Sequence, residues 1–242
     1  MLLSDIRRTI RPLLSDRAED AVADYYAFYH PDDKTNLVFY PENAERPTGY
    51  LAFSRTGMDL FRPLVTLRLP IGDLAASADA IYSAMAPGTA VILFAPEKYG
   101  PLLHALFDVQ TEETLRMFAL QPRRFEPIIN VLVAQSTGPN GLPRFIVRSQ
   151  ETGEVVAAAG LNWQSPRYAE ISVNTDLSHR RQGLGQSVVA AMAEYVLGNG
   201  RIPLYLVAAQ NNASSQLAES VGFRDTGTAN LLLQAVLKPP PI

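Results

Sequence analysis

The clearest pattern in the chain is a run from Arg167 to Thr175 in which side chains alternate, followed after a polar stretch by Leu184 to Val196, apolar at helical spacing. Tyr168, Glu170, Ser172 and Asn174 fall on one side of the predicted strand, and Ala169, Ile171, Val173 and Thr175 on the other. Behind the helix comes a second strand, Pro203 to Ala209, and then a helix led by Asn211 whose Ala213, Leu217 and Val221 repeat along one face. Gly222 suits the residue just past that helix, and Phe223 suits packing.

Earlier in the chain, Ser4 to Leu14 predicts a helix with Ile6, Ile10, Leu13 and Leu14 inward. A second helix is predicted from Ser15 or Asp16, with Glu19 placed for a capping box and Ala18, Val22, Tyr25 and Tyr26 as its buried stripe. Thr35 to Tyr40, Gly49 to Phe53 and Leu64 to Leu69 read as strands. Asp73 caps a helix facing inward through Leu74, Ala78, Ile81 and Met85, and Ala90 to Ala95 is an apolar strand. A helix from Pro96 and a strand from Thr114 to Leu120 complete an α/β unit over residues 1–120. Gln121 to Pro127, aperiodic and rich in proline and arginine, reads as a linker.

A second domain, residues 128–242, then opens with an extended run, Ile128 to Ala134. Arg144 to Ser149 and Glu154 to Trp163 form a hairpin about Glu151-Thr152-Gly153, and Leu231 to Leu237 is a closing strand before a frayed tail at 238–241.

Candidate chemistry centres on His179-Arg-Arg-Gln-Gly-Leu-Gly-Gln186, at the junction of strand, loop and helix. Gly183 and Gly185 let a ligand approach the backbone, and the helix start leaves about four N–H groups without intrahelical partners. Those donors, the helix dipole, Arg180 and Arg181 together suit a pyrophosphate.

Composition narrows the rest. The 242 residues are 47% hydrophobic and 19% charged, as in soluble globular proteins. The absence of cysteine excludes disulfides, thiolate metal sites and a cysteine acyl-enzyme. A net charge of -3 argues against nucleic acid as a partner, and no apolar run approaches the roughly 18 residues of a membrane span. Charges near the start, at Asp5, Arg7 and Arg8, predict a cytoplasmic protein without a signal peptide. His30 and His104 are isolated, so no metal site is expected.

Arg180-x-x-Gly183-x-Gly185 resembles the acyl-CoA pyrophosphate loop of the GNAT superfamily of N-acyltransferases. The strand before it resembles that family's fourth strand. Asn211 to Phe223 is similar to its asparagine-led helix ending in Gly-Phe, and the likeness covers about residues 144–235. It implies an α/β (α+β) fold with a mixed, mostly antiparallel sheet and flanking helices in the second domain. The first domain is then a smaller α/β unit, with a degenerate copy of the same fold as one reading of it.

The same resemblance implies an acetyl-CoA-dependent N-acetyltransferase working by direct attack in a ternary complex. Backbone groups of Val173 and Thr175 would hold the pantetheine, with the Val173 N–H polarising the thioester carbonyl. Arg180, Arg181, Gln182, Gly183, Leu184, Gly185 and Gln186 would hold the pyrophosphate, and Asn211 and Ser214 would touch the cofactor arm. Glu170 is the candidate general base. The tyrosine that protonates the leaving thiolate in many relatives is replaced by Ala218, leaving Ser214, Ser215, Tyr205, water or solvent for that step. Many GNAT domains also insert two helices after the first strand, and this chain has no room for them, so residues 1 to about 120 are expected to wall the acceptor pocket.

The acceptor implied is a primary amine of a small molecule, with a peptide or protein amine next, and a homodimer is an assembly open to the chain. A non-catalytic acyl-CoA sensor is the alternative from another class, and an interaction protein that retains only the fold is the third.

Overall fold

Residues 1–70 and 72–240 are described by the computed structural model, so Pro241 of the expected tail lies outside the described residues. Two compact units emerge: residues 1–115 together with 229–242, and residues 116–228. The closing strand, expected within a second domain at 128–242, instead falls in the first unit from Ala229.

In the first unit, helix α1 (Leu3–Ile10) and the short α2 (Ala21–Asp24) precede three antiparallel strands, β1 (Thr35–Tyr40), β2 (Gly49–Ser54) and β3 (Leu64–Arg68). Helix α3 (Leu74–Ala84) returns the chain to β4 (Ala90–Pro96), parallel to β3, and α4 (Gly100–Leu106) leads into the long β5 (Phe107–Leu120). The Asn230–Val236 stretch of the last strand pairs antiparallel with β4. Leu67, Ile81, Leu93, Leu103 and Leu233 are buried in one apolar cluster here.

The second helix departs from expectation. A 3-10 turn at Ala18–Asp20 precedes only four α-helical residues, and Tyr25–Tyr29 form a π turn. The capping acid is Asp20 rather than Glu19, because its carboxylate accepts from Ser15 N–H at 2.7 Å and also takes the guanidinium of Arg68.

After one additional strand, the second unit repeats the element order that follows α2 in the first. Strands β6 (Ala134–Thr137), β7 (Pro143–Arg148), β8 (Val155–Gln164) and β9 (Tyr168–Thr175) are antiparallel neighbours. Helix α5 (Leu184–Gly198) carries the chain to β10 (Ile202–Ala208), parallel to β9, and α6 (Asn212–Val221) leads into β11 (Phe223–Leu237). Val188, Val189, Met192 and Ala193 of α5 pack on Ala159, Leu161, Ile171 and Val207 in the core. The expectation of a mixed, mostly antiparallel sheet with flanking helices is therefore met, and the first unit is built on the same plan.

Residues Ile128 to Val133 do not form the expected strand. Val131 and Val133 pack against the core while Leu132 is 91% exposed, so the run is extended, but β6 begins only at Ala134. Register accounts for most of it: Ala134 faces Ile146 and β7 ends two residues later at Arg148, so Ile128 to Val131 have no β7 residue left to pair with.

Candidate functional site

Strands β9 and β10 pair over only three residues, Tyr168 to Glu170 against Ile202 to Leu204. Beyond that point each continues without the other, to Thr175 and to Ala208. Asp176 N–H reaches Val156 O at 2.9 Å, so by the two-residue repeat of a strand Ser172 and Asn174 turn their backbone groups toward β8. Val173 and Thr175 consequently direct their N–H and C=O groups into the gap between β9 and β10.

The gap runs up to the start of α5. Asp176 accepts from the Ser178 hydroxyl, from His179 and from Ser178 N–H at 2.9 Å, within a small 3-10 turn, and these bonds hold its carboxyl down at about 2. Arg180 lies against Thr175 O at 3.4 Å through its Nε, and Arg181 and Gln182 are exposed. Arg181 has φ of 63°, the left-handed region, and Gly183 has φ of 76° with open space where a Cβ would stand. Gly185 has another role: a Cβ there would come within 3.1 Å of Thr175 Oγ1 and 3.5 Å of Leu217. One glycine thus shapes the loop, and the other lets helix and strand approach.

Among the described residues, no main-chain N–H from Arg180 to Gln186 finds an acceptor; the first helical bond is Ser187 N–H to Gly183 O, 3.0 Å. Helices α3 and α6 differ, since Asp73 accepts from Ala76 N–H at 2.9 Å and Asn211 from Ser214 N–H at 3.1 Å. The start of α5 therefore keeps its donors and its positive dipole end free for an anion. Leu184 is buried and offers only backbone, and Gln186 spends its amide on Ser220 O at 3.4 Å.

Across the gap, Asn211 is an N-cap through Oδ1, with its amide nitrogen unbonded among the described residues. Tyr205 of β10 and Ser214 of α6 share a hydrogen bond of 2.8 Å between their hydroxyls. Burial pushes the Tyr205 phenol up, and the bond to Ser214 pulls against that rise. Ala218 is fully buried and carries no group that could donate a proton.

Glu170 is buried, 8% exposed, at the point where β9 and β10 part. Opposite it the register of β8 slips: Leu161 faces Ile171 but Trp163 faces Glu170, so Asn162 is an inserted residue. The slip turns two donors onto one carboxylate, Asn162 Nδ2 at 2.7 Å and the indole N–H of Trp163. Burial raises the Glu170 carboxyl above the ordinary carboxylate range, and both hydrogen bonds oppose the rise. Regular alternation of Ala157, Ala159, Leu161 and Trp163 puts the indole on the core side, so sequence reasoning missed this contact.

A hollow of about 430 Å³ lies over the neighbouring face, lined by Arg144, Ala158, Gly160, Asn162, Ser172, Asn174 and the turn 138–143. Arg144, Gly160 and Ser172 sit in one row across β7, β8 and β9. A larger open hollow of about 870 Å³ lies in the first unit between Asp33 and Arg62. Its arginines are already engaged, Arg55 with Asp33 O at 2.5 Å and Arg62 with Gln234 and Gln110.

The first unit does not repeat the anion site. Asp73 occupies the start of α3, and beyond the three paired residues of β3 and β4 the Leu69 N–H is taken by the Tyr99 hydroxyl at 3.2 Å. No helix among the described residues is long and apolar enough to cross a membrane.

Residues 146–232 match the family model described as FR47-like protein. A GCN5-related N-acetyltransferase-like protein from Streptococcus suis is similar in fold, with a TM-score of 0.64 at 14% identity, over 97% of this chain and 100% of its own. A Drosophila protein gives 0.67 at 13% identity over 97% and 87%. A tandem GNAT protein from the clavulanic acid biosynthesis pathway gives 0.62 at 14% identity over 98% and 94%. Among curated proteins none matches the sequence.

Proposed function

We propose that this chain, whose residues 146–232 match the FR47-like family model and whose fold is like that of GNAT proteins, transfers an acetyl group from acetyl-CoA to a primary amine. The observation that carries the reading is the free edge of β9 at Val173 and Thr175 leading straight to an uncapped α5. An extended amide-bearing arm can pair with the former, and a diphosphate can take the latter. Arg180 and Arg181 add charge at the same end.

Glu170 accepts a proton from the acceptor ammonium, freeing the nitrogen lone pair. The nitrogen attacks the thioester carbonyl, and the Val173 N–H supports the oxygen that becomes negative. A C–N bond forms, the C–S bond breaks, and the sulfur leaves as thiolate. The linked hydroxyls of Tyr205 and Ser214 stand in for the absent tyrosine as proton source for that sulfur. After attack the nitrogen still carries two protons; it gives up one, which replaces the hydroxyl proton passed to sulfur, and the proton held by Glu170 goes to solvent, so ammonium and thioester yield amide, thiol and one proton.

A second reading, acyl-CoA binding without transfer, is favoured by the buried Ala218. Calorimetry with coenzyme A and thiol release from acetyl-CoA with an amine library test both. Binding with release supports transfer, binding without release selects the sensor, and no affinity for coenzyme A removes both.

A further inference from the structure

We infer that the acceptor is an amine that also carries a carboxylate, held by Arg144 in the hollow over Gly160. This deepens the acyl-transfer reading and rests on it. Phe145 meets the Tyr195 ring of α5 at 5.9 Å and Val147 joins the α5 core, so alternation turns Arg144 to the opposite face of the sheet. That is the face on which Glu170 meets Asn162. Next to Arg144 on β8 stands Gly160, which has no side chain, followed two residues away by Ala158. The hollow exists because these floor positions are small.

Its polar lining is uneven. Asn140 is spent on the turn, donating to Leu161 O at 2.7 Å and accepting from Leu142 N–H, and Asn162 is spent on Glu170. The side chains of Arg144 and Asn174 have no hydrogen-bond or ion-pair partner among the described residues. No acidic residue lines the hollow. A guanidinium half-buried over a floor without a carboxylate is matched by an anion, and a planar carboxylate fits its fork in two bonds. Arg144 and β9 are two strand spacings apart, roughly 10 Å, which an amino-acid-sized molecule spans with its amine toward Glu170 and its acid toward Arg144. The chemical class is therefore a small amino acid rather than a polyamine or a lysine-rich protein tail.

The test pairs amino acids, from α to γ, with their carboxamides as acceptors in the thiol-release assay, and follows coenzyme A affinity by calorimetry. The acids are expected to exceed the amides in kcat/KM on the order of 100-fold, since losing a charged partner leaves Arg144 unmatched. Arg144→Met is expected to bring the acids down to the level of the amides, chiefly through KM, with the coenzyme A isotherm and melting temperature held. Gly160→Val is the second variant. A Cβ there stands 3.8 Å from Ser172 Oγ, an ordinary contact, so the variant folds and raises the acceptor KM by filling the floor. Equal rates for acids and amides, an acid preference that survives Arg144→Met, or coenzyme A binding with no carboxylate-bearing amine acetylated would each overturn the inference. Failure of the wild-type protein to bind coenzyme A sinks the acyl-transfer reading, and this one with it.

Discussion

Asn162 donates its side-chain amide to Glu170 Oε1 at 2.7 Å, and it can do so only because β8 carries one residue more than β9 at that point. The slip also delivers the Trp163 indole N–H to the second oxygen, so a buried carboxylate has both oxygens bonded. Desolvation nevertheless wins, and the Glu170 carboxyl titrates above its usual range.

Activity should follow that titration. Only the ionised form of Glu170 accepts a proton, so kcat/KM is expected to climb about tenfold per pH unit up to the raised value and then level. Glu170→Gln should remove this limb and lower kcat/KM on the order of 100-fold or more. An unchanged pH profile in the variant would dismiss Glu170 as the base. For stability the sign is opposite: because the folded protein holds this proton more tightly than the unfolded chain, the contribution is complete below the unfolded value and is lost as pH rises through the folded one. The variant should therefore gain relative stability at neutral pH, as read by denaturant midpoints.

Trp163→Phe removes a hydrogen bond that favours the charged form of Glu170. Its acid limb is expected to move to higher pH, with kcat above the limb largely kept. A limb that stays in place would mean that a different group sets it.

Arg181→Gly separates backbone from charge. Arg181 holds a left-handed backbone that costs an L residue about 1–2 kcal/mol, partly offset by the greater unfolded entropy of glycine, so stability should rise by about 1 kcal/mol or less. Coenzyme A affinity should fall, because a cation beside the uncapped α5 is gone. Calorimetry and thermal melts on the same sample check that the two effects have opposite signs.

Tyr205→Phe and Ser214→Ala are not equivalent. Ser214→Ala leaves the buried Tyr205 hydroxyl without its partner and should cost about 1–3 kcal/mol of stability. Tyr205→Phe removes the buried hydroxyl itself, so its stability should hold while kcat falls if this pair protonates the sulfur. Rates unaffected by both substitutions would assign the proton to solvent.

Coenzyme A should bind once per chain. Asp73 caps α3 and the Tyr99 hydroxyl takes the Leu69 N–H, so the matching place in the first unit is filled by its own residues. Asp73→Ala is expected to cost about 1 kcal/mol as a lost cap without adding a second site. A calorimetric stoichiometry of two would contradict this.

What the sequence determined by itself is local. Gly183 and Gly185 between an alternating strand and an apolar helix, and Asn211 before a periodic one, follow from backbone freedom, capping and period, which act over a few residues. The order of strands and helices in the second unit follows from the same signals, whereas the likeness of the first unit to it rests on strand pairing that no local pattern carries. Only the tertiary structure decided that Asn162 is an inserted residue, that Trp163 turns to Glu170, and that Arg144 and Ser172 flank a side-chain-free Gly160. These depend on register between strands, and a slip of one residue reverses which face a side chain takes without altering any local pattern. The strand expected at Ile128 failed for the same reason, since extended backbone becomes a strand only where a partner still has residues to offer.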